Sequence, residues 1–392
     1  MAKTIPLVVA VTTFGAATLA QASGVFLQEA TYANLGTAGA GDGVYTEAAA
    51  SIWTNPAIMS HMDQELTSLT GTLLNLDIEY NDSGDGQGGN ANSTLPVVGF
   101  FQVIDLENRY KVGLAFGSIG GATLDYGDEW AGKDQLTDVA LLTYQFNPSL
   151  SYSINEQWSI AGGVQINYAF LQGNTAALEL DTATDWALDY NLGTVFQATD
   201  NWKIGLSYRS ELNHEFESDL YVGTAQGRYQ TQLPSPAVTD LSTSYAFSDR
   251  LTLLTSIQHH DWSTMTSTDI DITLPNKQGL YVIDRDWDDV WRLSVGGDYQ
   301  LSSSWALKVG YAYETSPLDD PSKRSPDLPV GEQHRYSLGL SKQLSDSRID
   351  FYYEFADFGD MEVDQQALFF TNKELHGYFS GYVHFIGASY TY

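Results

Sequence analysis

The stretch ALLTYQFNPSLSYSI, residues 140–154, alternates without a break. Ala140, Leu142, Tyr144, Phe146, Pro148, Leu150, Tyr152 and Ile154 form one set, and Leu141, Thr143, Gln145, Asn147, Ser149, Ser151 and Ser153 form the other. Successive side chains of a strand point to opposite faces, so one face is apolar and the other polar. The alternation outlasts the usual strand of about 5–6 residues, and it exceeds the ~9–11 residues a tilted strand needs to cross a bilayer. In a membrane barrel the apolar face meets lipid and the polar face lines the lumen.

The same pattern recurs downstream. Trp305, Leu307, Val309, Tyr311 and Tyr313 oppose Ala306, Lys308, Gly310, Ala312 and Glu314; Ile349, Phe351, Tyr353 and Phe355 oppose Asp350, Tyr352, Glu354 and Ala356. Short turns at Asp105–Arg109, Asn155–Gln157, Thr199–Asn201, Ser248–Asp249, Ser302–Ser304 and Ser345–Ser347 alternate with longer connections. The longer ones include Asn81–Ser93, Asp128–Asp138, Met265–Asp288, Pro317–Glu332 and Asp364–His376. Bacterial outer-membrane barrels alternate short periplasmic turns with long outer loops in this way. The pattern predicts an all-β fold, a 14-stranded antiparallel transmembrane barrel, with strands starting near residues 66, 94, 110, 138, 158, 184, 202, 228, 250, 290, 305, 333, 348 and 377. An even count puts both ends on the periplasmic side, and closure removes every sheet edge, as lipid requires.

Composition agrees with an exported barrel. The formal net charge of −31 argues against nucleic acid, which demands a basic footprint. The 24 tyrosines argue against a disordered acidic chain, which would be poor in aromatics. Cysteine is absent, so no disulfide or thiolate site exists. Lys3, the apolar run 5–20 and Ala20-Gln21-Ala22 read as a cleaved secretory signal peptide over 1–22. No other window holds the ~18 consecutive apolar residues of a membrane helix. Localisation in the bacterial outer membrane follows as the expectation.

The segment 23–64 precedes the first strand and contains GVYTEAAASIWTNPAIMSHM, residues 43–62. Eight strands can fill a barrel with their own side chains, whereas 16–18 leave an aqueous channel, so 14 strands leave a hole to fill. A compact, small-residue segment carrying Leu27, Leu35, Ile52, Trp53 and Met59 suits a plug. Asn55 can cap a short helix whose first position is Pro56. The expected organisation is therefore a signal over 1–22, a hatch over 23–64 and a barrel over 65–392.

The ordered set Ser23-Gly-Val-Phe-Leu-Gln-Glu29, Asn34-Leu-Gly36, Gly39-Ala-Gly-Asp-Gly43 and Asn55-Pro-Ala57 resembles the N-terminal hatch of FadL-type long-chain fatty acid and hydrocarbon transporters. Tyr208-Arg-Ser210, Leu233-Pro234, Asp261-Trp-Ser263, Trp287-Asp-Asp-Val-Trp-Arg292 and Lys308-Val-Gly-Tyr-Ala-Tyr-Glu-Thr-Ser-Pro317 extend the resemblance over nearly the whole chain. The resemblance implies a hatch built on Gly36, Gly41, Gly43, Asn55, Pro56 and Ala57. It implies passive uptake of a hydrophobic ligand, a long-chain fatty acid foremost, with lateral release at the third strand. There Gly117, Gly120 and Gly121 can break a strand, or make room for the plug. An aromatic or alkane hydrocarbon channel and a general porin for polar solutes stay open as alternatives.

Candidate ligand contacts are Phe26 and Leu27 at the hatch tip, and the aromatics Trp130 and Trp287, with Tyr126 and Tyr281, on the outer loops. Arg209, Arg292 and Lys308 lie on polar strand faces, where each meets either a ligand carboxylate or lumen acids such as Asp298 and Glu314. The strand Asn167–Gln172 offers no basic residue where a fatty-acid transporter can carry an arginine. No enzyme, cofactor or metal site is expected. No G-x-S-x-G or phosphate-binding loop occurs, and His259, His260 and Asp261 are adjacent and cannot face one way in a strand. Asp82-Ser-Gly-Asp-Gly86 starts like a calcium loop but lacks the glutamate at its twelfth position. The expected surroundings are outer-membrane lipid and lipopolysaccharide, with the protein a monomer.

Overall fold

The computed structural model describes residues 31–106, 108–366 and 374–392. The signal-peptide reading and the candidates Phe26 and Leu27 lie outside the described residues. Fourteen antiparallel strands close into a barrel. They are β1 (Leu66–Asp82), β2 (Gly89–Asp105), β3 (Tyr110–Asp125), β4 (Asp138–Ser153), β5 (Trp158–Asn174) and β6 (Ala183–Thr199). Four interrupted strands follow: β7 (Trp202–Arg209 and Leu212–Val222), β8 (Val238–Ser248 after Ala225–Ser235), β9 (Leu251–His260 and Ser267–Leu274) and β10 (Val290–Ser302 after Lys277–Asp284). The ring ends with β11 (Trp305–Glu314), β12 (Gln333–Gln343), β13 (Arg348–Gln365) and β14 (Leu375–Thr391).

Closure is made by β1 and β14, paired from Ser68↔Thr391 to Asp82↔Gly377. Thr67 and Tyr392 exchange backbone bonds of 2.8 and 3.0 Å at the seam. Outward side chains such as Leu150, Val164, Leu192, Leu253, Val309 and Ile386 are exposed, although they are aliphatic. Lipid explains that surface. Tyr110, Trp158, Trp202, Tyr245, Trp305 and Tyr390 ring the short-turn end, where amphipathic rings sit at the headgroup level.

The segment Met265–Asp288, expected to be a long connection, is mostly strand. Ser267–Leu274 and Lys277–Asp284 pair as a hairpin about Pro275 and Asn276. Its alternation of Ile270 and Ile272 with Asp269 and Asp271 simply continues β9 beyond the membrane. β1 and β2 likewise run farther out than expected, leaving only residues 83–88 between them.

Residues 31–64 lie inside the barrel. They form three short 3₁₀ turns, Asp42–Val44, Ala49–Ile52 and Pro56–His61, rather than α-helices. The wall makes room for them by omitting side chains. Gly36 has φ 97°, and a side chain there would run into the backbone of Gly339. A side chain at Gly310 would collide with the Thr37 carbonyl. Ala49, Ile52, Ala57, Ile58 and Met59 are completely buried among Phe101, Val103, Ala115 and Val195 of the wall.

Gly310→Val is expected to unseat this segment and raise single-channel conductance in planar bilayers, at unchanged barrel abundance. Deleting residues 31–60 should raise conductance further. Unchanged conductance in both would mean that the segment does not block the lumen.

Candidate functional site

Side-chain alternation places three zones on the inner wall. The lowest is the seat of the hatch. Asn55 caps the Pro56 turn by accepting from Ala57 N at 3.0 Å, as its position before Pro56 suggested, and its Nδ2 donates to Thr194 O at 3.1 Å. Asp42 staples the hatch to itself, accepting from Ala33 N at 2.9 Å and Asn34 N at 3.0 Å. Gly41 N and Gly43 N donate to Ser256 Oγ and Ser242 Oγ of β9 and β8. His61 Nε2 lies 3.1 Å from Ser159 Oγ. Burial, with Lys203 adding to it, pushes the His61 imidazole down to about 4, so it is neutral at physiological pH.

The three basic candidates belong to this zone. Arg209 donates to Gln145 Oε1 at 2.6 Å and to the Trp53 carbonyl at 3.1 Å, with its guanidinium 5.3 Å from the Trp53 ring. Arg292 donates to the Tyr32 hydroxyl and lies 3.8 Å from Glu314. Lys308 donates to Asp350 at 3.0 Å and to the Tyr45 hydroxyl at 3.3 Å. Arg348 completes that cluster by pairing with Asp350 and with Glu47 of the hatch. Buried charges are retained only when paired and hydrogen-bonded. Here the pairing ties the hatch to the wall.

Above the hatch, β4 to β6 carry a buried polar floor. Asn147 and Asn191 bond each other at 3.0 Å, and Gln145, Gln165, Asn167 and Asp189 lie beside them. Higher still is an apolar cavity of about 150 Å³. Val139, Leu141, Leu171, Leu180, Leu233 and Ile270 are among its lining, and Pro326 and Leu328 of the β11–β12 loop reach it from above. Its charged lining residues are Asp134 and Asp327. Asp327 is held by the fully buried Arg285 through bonds of 2.5 and 3.2 Å. Lys133 sits next to Asp134 at the rim, and its Nζ donates to the Asp128 carbonyl at 2.8 Å. Sequence reasoning missed both Arg285 and Lys133, because both lie in connections without periodicity.

Trp130 and Trp287 do not line this cavity. Trp130 stacks on Tyr126 with ring centroids 4.5 Å apart, and its Nε1 donates to the Leu136 carbonyl at 2.8 Å. Trp287 meets Trp262 edge-on at 5.0 Å. Each is buried and closes the base of an outer loop. Asp82 is used by its own turn, accepting from Gly84 N and Gly86 N at 2.8 and 2.9 Å.

The wall is broken beside β3. β2 and β3 pair from Asp105↔Lys111 to Phe100↔Phe116, and no pairing is made above that among the described residues. β3 also bulges against β4 between Ser118 and Gly120. A Cβ on Gly121 would lie 2.5 Å from the Leu141 carbonyl, so the bulge needs glycine there. Gly117 has the other role considered for it, since its missing side chain makes room for Thr31 and Trp53 of the hatch. A small opening lined by Leu95, Val97, Gly120, Gly121 and Leu142 lies at the break.

This architecture is shared with known proteins. The chain is 24% identical to the long-chain fatty acid transport protein of Escherichia coli O6:H1, over 85% of this chain and 86% of that one. It is 22% identical to the protein of the same name from Salmonella typhi, over 85% and 87%. In structure it resembles a Pseudomonas aeruginosa FadL homologue, with a TM-score of 0.85 at 20% identity over 94% of this chain and 99% of that one. It also resembles the Pseudomonas putida toluene transporter TodX, with a TM-score of 0.71 at 17% identity over 95% and 98%. The family profile described as outer membrane protein transport protein (OMPP1/FadL/TodX) matches residues 13–392. The chain belongs to this family of outer-membrane transport proteins.

Proposed function

We propose that the chain carries hydrophobic compounds passively across the outer membrane, long-chain fatty acids foremost, and releases them sideways through the β2–β3 break. The observation that carries this reading is the order of the zones. An apolar cavity lies above a polar floor and a filled lumen, and a break in the wall at β2–β3 faces lipid. An apolar ligand gains free energy by passing from the cavity into hydrocarbon rather than through the polar floor into water. The names of the E. coli and Salmonella relatives support a fatty acid as cargo. Its chain would fill the cavity and its carboxylate would stay at the rim, near Lys133. Arg209, Arg292 and Lys308 hold the hatch instead.

An aromatic hydrocarbon is the second reading. It is favoured by a lining whose charged residues are both acids, so no cation meets an anion inside the cavity. The fold shared with the toluene transporter is compatible with either cargo. A general porin for polar solutes is disfavoured by the buried hatch.

Lys133→Ala separates the two cargoes. A partly exposed cation contributes only about 0.2–1 kcal/mol, so oleate affinity should fall by at most about fivefold while toluene affinity stays constant. Arg209→Ala and Lys308→Ala should leave oleate affinity unchanged. An oleate affinity indifferent to Lys133 would favour the hydrocarbon.

The exit is tested with Gly120→Val combined with Gly121→Thr, since β-branched residues favour regular pairing. In cells lacking other transporters, labelled oleate uptake should fall at normal barrel abundance, and a polar dye should stay excluded before and after. Undiminished oleate uptake by the assembled double variant would remove release at this position.

A further inference from the structure

A second break lies four strands round the barrel from the first. β6 and β7 pair from Thr199↔Trp202 to Asn191↔Arg209, and no further among the described residues. Ser210 then caps the ladder. Its N–H donates to the Tyr190 carbonyl at 2.9 Å, and its Oγ accepts from Tyr190 N at 3.1 Å. Above this point β7 changes phase. Gly205 and Ser207 are buried below it, and Leu212, His214 and Phe216 are buried above it, which needs one extra residue, as in a bulge. β6 continues to Ala183 along β5. Its other edge, residues 183–189, makes no ladder among the described residues.

The break is closed at the top. The short segment Glu179–Leu180 pairs with Tyr221 and Leu220 of β7, and Asp181 N donates to the Asp219 carbonyl at 3.0 Å. The result is a window between two strands, framed below by Ser210 and above by residues 179–181. One side chain spans it. Asp185 Oδ2 accepts from Glu215 N at 3.2 Å and lies 2.9 Å from His214 Nδ1.

Both sides of the window are apolar. Outside stand Trp186 and Leu188, 69% and 71% exposed, the two most exposed large apolar side chains among the described residues. Val98, at 62%, stands beside the β2–β3 break and shows the same absence of cover. Inside, Ala183, Phe216 and Leu220 pack with Leu171 and Leu180, which line the apolar cavity. One layer of side chains therefore separates the cavity from the membrane face.

We propose that this window is a second lateral passage, through which an unbranched hydrocarbon chain moves between the outer leaflet and the cavity when the Asp185 latch opens. The passage rests on reading the cavity as a site for apolar ligands. A chain one methylene wide suits an opening between two strands still framed at both ends. The small Ala183 stands at its inner edge, and the latch supplies the side-chain bonds across it.

The chain has no cysteine, so Ala183→Cys gives a unique thiol at the window. In liposomes, this thiol is reacted with a maleimide carried on an alkyl chain that partitions into the bilayer. Adding Asp185→Ala should speed labelling about tenfold or more, the shift in an open–closed equilibrium expected on losing a charge-assisted hydrogen bond. Asp185→Asn, which keeps an acceptor for Glu215 N–H but loses the charge, should label at a rate between the parent and Asp185→Ala. Equal rates for Asp185→Ala and the parent would overturn the passage. If Asp185→Ala fails to assemble, His214→Ala gives the same reading. Oleate binding on the same preparations separates the two levels. Faster labelling without oleate binding would sink the fatty-acid reading and keep the window. Oleate binding without faster labelling would do the reverse.

Discussion

Every backbone N–H and C=O within the hydrocarbon layer must find a partner inside the protein, because lipid supplies none. The ring of ladders from β1 to β14, sealed by Ser68↔Thr391 and its neighbours, meets that demand almost everywhere. The exceptions are informative for that reason. At β2–β3 and at β6–β7 the ladder stops partway up the wall, and specific hydrogen bonds lie beside both breaks. Ser118 Oγ and Thr143 Oγ1 donate to the Thr143 and Gly120 carbonyls beside the first break. Ser210 and Asp185 serve the second. An unpaired edge in lipid costs several kcal/mol per group, so breaks flanked in this way are structural features with consequences for what can cross the wall.

The interior follows the same logic. A ring of this circumference cannot be filled by its own side chains, and a polar segment could not cover its inner wall without satisfying buried charge. Residues 31–64 do so by bringing Tyr32, Tyr45, Glu47 and Trp53 to Arg292, Lys308, Arg348 and Arg209. These four basic residues are thereby tied to the hatch, while Arg335 pairs with Glu354 of the wall. The cavity above is lined mainly by apolar side chains and by no basic residue.

Much of this was legible in the sequence. Alternation such as that of residues 140–154 marked the strands, and the small residues around Asn55 and Pro56 marked a compact hatch. The glycines of β3 marked a break because glycine removes the side chain a regular strand would pack. The β6–β7 break left no such sign. Ser210 and Glu211 are ordinary strand residues, and only the change of phase from Ser207 to Leu212 hinted at it. Pairing depends on what the neighbouring strand does, and alternation within one strand does not report that. The hairpin at 267–284 was hidden for a related reason, since its alternation continues β9 past the length a membrane needs. The partners of Arg209, Arg292 and Lys308 are set by the path of the hatch through the lumen, which local pattern does not encode.

The central claim is that ligand leaves through the wall while the hatch stays in place. The hydroxyls of Ser60 in the hatch and Ser151 in β4 lie 2.5 Å apart, so a disulfide between Ser60→Cys and Ser151→Cys should form in this cysteine-free chain with little movement. Labelled oleate uptake is then compared in cells before and after reduction of that bond. The account predicts equal uptake in the two states. Uptake that is blocked by the disulfide and restored by reductant would contradict it, and would route the ligand through the hatch.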